Sequence, residues 1–139
     1  MILDHIGVVV PSLTDGMRQW ECSFGYRKNS QIVVNSRQKV RVVFLHKQNS
    51  ITIKLLEPVG DVSPVSAVAR KGGGLHHLCF RCLDMPSQIA SLRSLGAVLM
   101  VPPEPGEAFN GKDIAFLMAK GNLNIELIST TEKAGWGDP

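Results

Sequence analysis

The segment FLMAKGNLNIELI, residues 116–128, repeats an earlier one, FLHKQNSITIKLL, residues 44–56. Each begins Phe-Leu, crosses a polar stretch and ends in an apolar run interrupted by one charge. The offset is 126 − 54 = 72 residues, and it sets Lys54 on Glu126. The same offset carries LDHIGVVVPSLTDGMRQWECSFG (3–25) onto LHHLCFRCLDMPSQIASLRSLG (75–96). His5 falls on His77, Leu13 on Met85, Met17 on Ile89 and Trp20 on Leu92; after a slip of one residue, Phe24 and Gly25 match Leu95 and Gly96. A period this long that occurs twice marks a duplicated half-domain, not a solenoid.

Each half reads as strand, helix and three further strands, an α+β pattern written twice. HIGVVV and HHLCFRC open the halves as strands. Apolar positions 13, 17, 20 and 24, then 85, 89, 92 and 95, follow with helical spacing. Ser12 with Asp15 resembles a capping box, Asp84 with Pro86 marks the second helix start, and Gly25 and Gly96 supply stops. The remaining strands are RKNSQIVV, VRVVFLHK and ITIKLLE in the first half, and AVLMV, DIAFLMA and LNIELIS in the second. The expected organisation is one domain over 1–139: module one about 1–58, a linker 59–74 with a short helix near 64–70, module two about 75–131, and a loosely held tail 132–139. PPEPGEAFNGK (102–112) reads as a loop at a cavity rim.

Composition narrows the function classes. With 139 residues, 44% hydrophobic and 19% charged, the chain is a soluble globular type able to bury a core. A net charge of +3 without basic clusters gives no support for nucleic-acid binding. No apolar run is long enough for a membrane span, so a cytoplasmic protein is expected. Cys22, Cys79 and Cys82 imply no disulfide framework, and the C-x-x-C lies on a strand, where residues three apart face opposite ways.

Duplication brings equivalent residues together around a pseudo-twofold axis. The equivalent polar pairs are His5 with His77 and Lys54 with Glu126, at matching spacings of 54 − 5 = 49 and 126 − 77 = 49. All four stand on otherwise apolar strands, which points to a shared ligand-binding cavity. His76 and Glu57 are expected to face away from it.

LDHIGVVV, LLEP, GGGLHHLCFRC, GKDIAFLMAK and NIELIS together resemble the vicinal-oxygen-chelate superfamily, over roughly residues 2–130. That superfamily includes glyoxalase I, methylmalonyl-CoA epimerase, extradiol dioxygenases and the bleomycin- and fosfomycin-resistance proteins; the likeness is greatest to the epimerase/glyoxalase branch. The resemblance implies paired βαβββ modules around an open cavity, often a homodimer, and one divalent metal (nickel, cobalt, zinc, manganese or iron). The implied metal ligands are His5, His77 and Glu126. The fourth position carries Lys54 where relatives have Glu or Gln.

A lysine there leaves two outcomes. Either the two histidines and Glu126 bind a metal as a facial triad and Lys54 swings aside or loses its proton, or the Lys54 ammonium takes the metal's place and pairs with Glu126. Charge repulsion favours the metal-free state. The resemblance implies an isomerase or lyase working by enolate chemistry on a small carbonyl or acyl-thioester substrate, with Glu126 as base and Lys54 as oxyanion stabiliser. The relatives' second catalytic carboxylate has no counterpart in KVRVVFLHK. The alternatives are a metal-free binding protein of the bleomycin-resistance type and an iron-dependent extradiol dioxygenase.

Overall fold

Side chains alternate along the strands of a nine-stranded mixed sheet, and that alternation separates a concave face from two helix-covered outer faces. The computed structural model describes residues 1–136. Its first half contains β1 (Ile2–Val9), α1 (Leu13–Phe24), β2 (Arg27–Lys28), β3 (Val33–Asn35), β4 (Val40–His46) and β5 (Thr52–Pro58). After α2 (Ser66–Arg70) come β6 (Gly74–Arg81), α3 (Met85–Ser94), β7 (Val98–Pro105), a 3-10 turn at Glu107–Phe109, β8 (Asp113–Ala119) and β9 (Leu123–Ile128). The strand order is β2-β4-β5-β1-β6-β9-β8-β7, with β3 also paired to β4. The open, glyoxalase-like α+β architecture of two βαβββ halves is as the sequence implies. In each half the first strand runs parallel to the last, β1 with β5 and β6 with β9. The halves join where β1 meets β6 antiparallel.

The helix ends follow local chemistry. Ser12 Oγ accepts the Asp15 N–H, and Gly25 closes α1 in the left-handed conformation. Glu57, on the outer side of β5, accepts the Leu13 N–H at 2.7 Å, so its carboxylate lies at the positive end of α1 and faces away from the concave side as expected. Helix α1 covers Val8, Val10, Val43, Leu45, Ile53 and Leu55, while α3 covers Ala115, Leu117, Ile125 and Leu127. The alternate residues Val9, Val42, Phe44, Leu56, Cys79, Ile114, Phe116 and Ile128 form the concave core.

Three sequence expectations change. The strand expected over RKNSQIVV is broken, because the Ser30 hydroxyl accepts the Phe44 N–H in place of a strand carbonyl. The loop expected from residue 102 begins later, since β7 continues to Pro105; prolines are tolerated because β7 is an edge strand. Finally, residues 132–136 of the tail are packed down: Ala134 N–H donates to Ala108 O, and the Trp136 ring lies against Phe44. The rest of the expected tail, 137–139, lies outside the described residues.

One glycine makes room for the site. Gly7 lies between Lys54 on β5 and His77 on β6, and a Cβ there would stand 2.1 Å from His77 Cε1. Gly7→Ala is therefore expected to cost about 1–3 kcal/mol by overpacking in urea unfolding and to displace the His77 ring. An unchanged unfolding midpoint would place that ring elsewhere.

Candidate functional site

Two rows of residues cross the centre of the concave face. In one, register aligns Phe44, Lys54, Gly7 and His77 across β4, β5, β1 and β6. In the other it aligns Phe116, Glu126, Cys79 and His5 across β8, β9, β6 and β1. Each residue of the first row stands 72 positions from its counterpart in the second, apart from direction: 44/116, 54/126, 7/79 and 5/77. The fold thus brings together all four polar residues singled out in the sequence, with exposures of 0% for His5 and Glu126, 3% for Lys54 and 4% for His77.

Glu126 is the centre of this group. Its Oε1 lies 3.1 Å from His5 Nε2 and 3.2 Å from His77 Nε2, and its Oε2 lies 3.5 Å from Lys54 Nζ. Burial pushes the Glu126 carboxyl up, but Lys54, His5 and His77 together hold it well below the usual carboxylate range. His77 moves the other way: burial depresses it to about 3 despite its contact with Glu126, so it is neutral near pH 7.

Each histidine has a neighbour on its other nitrogen. Asp4 Oδ2 is 2.7 Å from His5 Nδ1, and His76 Nδ1 is 2.8 Å from His77 Nδ1. Asp4 and His76 are themselves 72 residues apart. Pairing between β1 and β6 shifts register between Leu3 and His5 and between Gly7 and Val8, leaving Asp4 and His76 as the extra residues. Such bulges turn consecutive side chains toward one side, and the expectation that His76 faces away fails for that reason. Sequence reasoning missed Asp4; the 72-residue offset that pairs it with His76 was the available signal.

Hydrogen-bond chemistry assigns the protons. Asp4 accepts the His5 Nδ1–H, and His5 Nε2 is directed at Glu126 Oε1 and His77 Nε2. Neutral His77 donates from Nε2 to Glu126 and accepts at Nδ1 from His76. Asp4 is held in turn by Lys133 Nζ at 3.2 Å, while Arg81 Nε forms an ion pair with it at 3.0 Å without hydrogen-bond alignment. Burial raises the Asp4 carboxyl, and His5 and Lys133 outweigh that to leave it lowered.

Phe44, Phe109 and Phe116 wall the group. Lys54 Nζ lies 5.1 Å from the Phe109 ring centre and 5.9 Å from that of Phe44, within cation–π range. His5 Nε2, His77 Nε2 and Glu126 Oε1 stand 3.1–3.4 Å apart, close to the edge of about 3.4 Å expected between ligands of a tetrahedral ion with bonds near 2.0–2.1 Å. Those three atoms have the spacing to hold a divalent metal, and Lys54 stands beside them. Cys79 joins His5 and Asp4 in a second convergent set, but burial raises its thiol well above the usual range.

The sheet, the symmetric histidines and the buried carboxylate define a paired-module fold with a central polar site. Comparison with known proteins agrees. Residues 4–116 match the family described as the Glyoxalase/Bleomycin resistance protein/Dioxygenase superfamily, and the chain belongs to it. An uncharacterised protein of Bacillus subtilis, YqjC, is 35% identical over 134 residues, covering 96% of this chain and 93% of its own. The ethylmalonyl-CoA/methylmalonyl-CoA epimerase of Cereibacter sphaeroides is 29% identical, covering 85% and 88%. A Streptomyces coelicolor methylmalonyl-CoA epimerase solved with 2-nitronate-propionyl-CoA superposes with a TM-score of 0.80 at 27% identity, covering 94% and 97%. The chain therefore falls with the epimerase-like members of the family. Among the described residues, no helix is long and apolar enough to cross a membrane.

The pH dependence of stability follows from these groups. His77 and Glu126 both have lowered values in the folded protein, so on acidification the unfolded chain takes up protons that the folded site refuses. Their contribution is complete above the unfolded histidine range. His77's share declines from about 6.5 toward 3, and Glu126's share fades below the ordinary carboxylate value. Urea midpoints are expected to fall steadily from pH 7 to pH 4, with a shallower slope in His77→Gln. A midpoint that rises on acidification contradicts this assignment.

Proposed function

We propose that this chain is an isomerase- or lyase-type enzyme that moves a proton at the carbon beside a carbonyl, on a small carbonyl or acyl-thioester substrate. The Lys54 ammonium supplies the positive charge at the oxygen. The observation that carries this reading is the set of three nitrogens around Glu126: two imidazole Nε2 atoms and the Lys54 ammonium. A divalent ion held by His5, His77 and Glu126 would sit against the fixed Lys54 cation. The full residue set does not fit the metal while Lys54 keeps its charge.

The chemistry follows from those contacts. One carboxylate oxygen uses only part of the donor capacity of an ammonium with three hydrogens, so Lys54 can also donate to a substrate carbonyl oxygen. At rest Glu126 is a weak base, held down by Lys54 and the histidines against the upward push of burial. When Lys54 turns to the substrate oxygen, that push is less opposed and the carboxylate gains basicity. The α-carbon C–H bond then breaks, its proton passes to Glu126, and the electron pair moves onto the carbonyl oxygen facing Lys54. Return of the proton to carbon completes an isomerisation; departure of a β-substituent completes a lyase reaction.

Strand β4 presents Val42 and Phe44 toward the concave face and no carboxylate. That arrangement favours one-base proton transfer over two-base epimerisation. A second reading, ligand sequestration without chemistry, draws support from the same lack of a second carboxylate on β4. The iron-dioxygenase alternative would place the iron ion against the Lys54 ammonium, and is disfavoured for that reason.

The test is α-deuterium incorporation in D2O, followed by NMR, with methylmalonyl-CoA and simple 2-acyl thioesters as probes. Wild-type protein is expected to introduce deuterium, and Glu126→Gln to slow it by about 10²–10⁴-fold, the usual weight of a general base. Binding of a probe with no deuterium uptake would replace this reading with sequestration.

A further inference from the structure

The four polar groups have almost no exposed surface, so a ligand reaches Lys54 and Glu126 only if something above them moves. Two segments pack against the residues that surround them. The first is the turn around Phe109, which is held internally. Phe109 and Gly111 N–H donate to Gly106 O, Lys112 N–H donates to Phe109 O, and Gly106 N–H donates to Lys112 O. Glu107 also accepts from the Ser36 N–H at 2.8 Å across the sheet.

The second is residues 132–136, which follow β9 and belong to no helix or strand. The backbone of this segment is fixed to the turn by Ala134 N–H donating to Ala108 O. Its side chains reach further. The Lys133 ammonium passes 5.5 Å from the Phe44 ring centre to Asp4, and the Trp136 indole lies against Phe44 and His46. Together they fill the concave side over the ring that also flanks Lys54.

We propose that residues 132–136 form a releasable strap, with Lys133 as its latch, which must lift before a ligand can reach Lys54 and Glu126. The contacts are of a kind that can part at low cost. Few backbone bonds hold the segment, and regions so held open far below the free energy of global unfolding. The floor also tolerates the loss of Lys133. Asp4 keeps His5 and Arg81 as partners, so no carboxylate is left buried without compensation. Closed, the latch steadies the carboxylate that orients His5, and so ties closure of the site to the arrangement of its histidines. This holds whichever reaction the site performs.

Carbethoxylation of histidines with diethyl pyrocarbonate, mapped by mass spectrometry on the full chain, reads closure directly and needs no ligand. Lys133→Ala and Trp136→Ala are each expected to raise the modification rate at His77 by about 10-fold or more, as the open fraction grows. Lys133→Arg, which keeps the charge, is expected to stay within about twofold of wild type. Cys82, packed beneath α3, reports general loosening through its reaction with methyl methanethiosulfonate. If His77 stays as protected in both alanine variants as in wild type, or if Cys82 accelerates in proportion, the strap proposal is overturned.

Discussion

A fully buried carboxylate imposes the main constraint on this structure. Glu126 has no exposed surface, and an isolated charge in that position would be neutralised or would unfold the site. Lys54, His5 and His77 prevent this, and each requires its own support. Lys54 lies between aromatic faces, His5 is anchored by Asp4, and His77 leans on His76 above the bare backbone of Gly7. Removing any one partner leaves charge or hydrogen-bonding capacity stranded in an apolar cup. That asymmetry makes buried ionic groups costly to break.

Duplication explains how one cup contains so many polar groups. Because β1 and β6 pair antiparallel at the junction of the halves, residues equivalent by the 72-residue offset arrive on opposite sides of one axis. The symmetry is imperfect at the points that matter. Lysine faces glutamate, glycine faces cysteine, and aspartate supports one histidine while a histidine supports the other. Where equivalent acidic residues would together suit a metal ion, lysine opposite glutamate compensates itself internally.

Much of this was legible in the sequence, for a physical reason. Strand alternation and helix periodicity survive in both copies, so the repeat exposed the sheet, the two helices and the four central residues. The parts that were not legible depend on departures from regular geometry. The bulges at Asp4 and His76 reverse the usual two-residue alternation, and nothing in LDHIG or LHHLC marks the extra residue locally. Ser30 breaks an otherwise continuous strand by one side-chain bond. The position of Lys133 and Trp136 over the site depends on contacts across the fold, which a stretch without periodicity does not reveal.

The central claim is that an ammonium of the chain, standing beside the His5–His77–Glu126 set, balances Glu126 instead of a divalent ion. Metal analysis of the purified wild-type protein, followed by calorimetric titration with nickel, cobalt and zinc, tests it most directly. The account predicts a preparation without stoichiometric metal after dialysis and no tight binding in the titration. One equivalent of any of these ions, retained through dialysis and held by His5, His77 and Glu126, would contradict it.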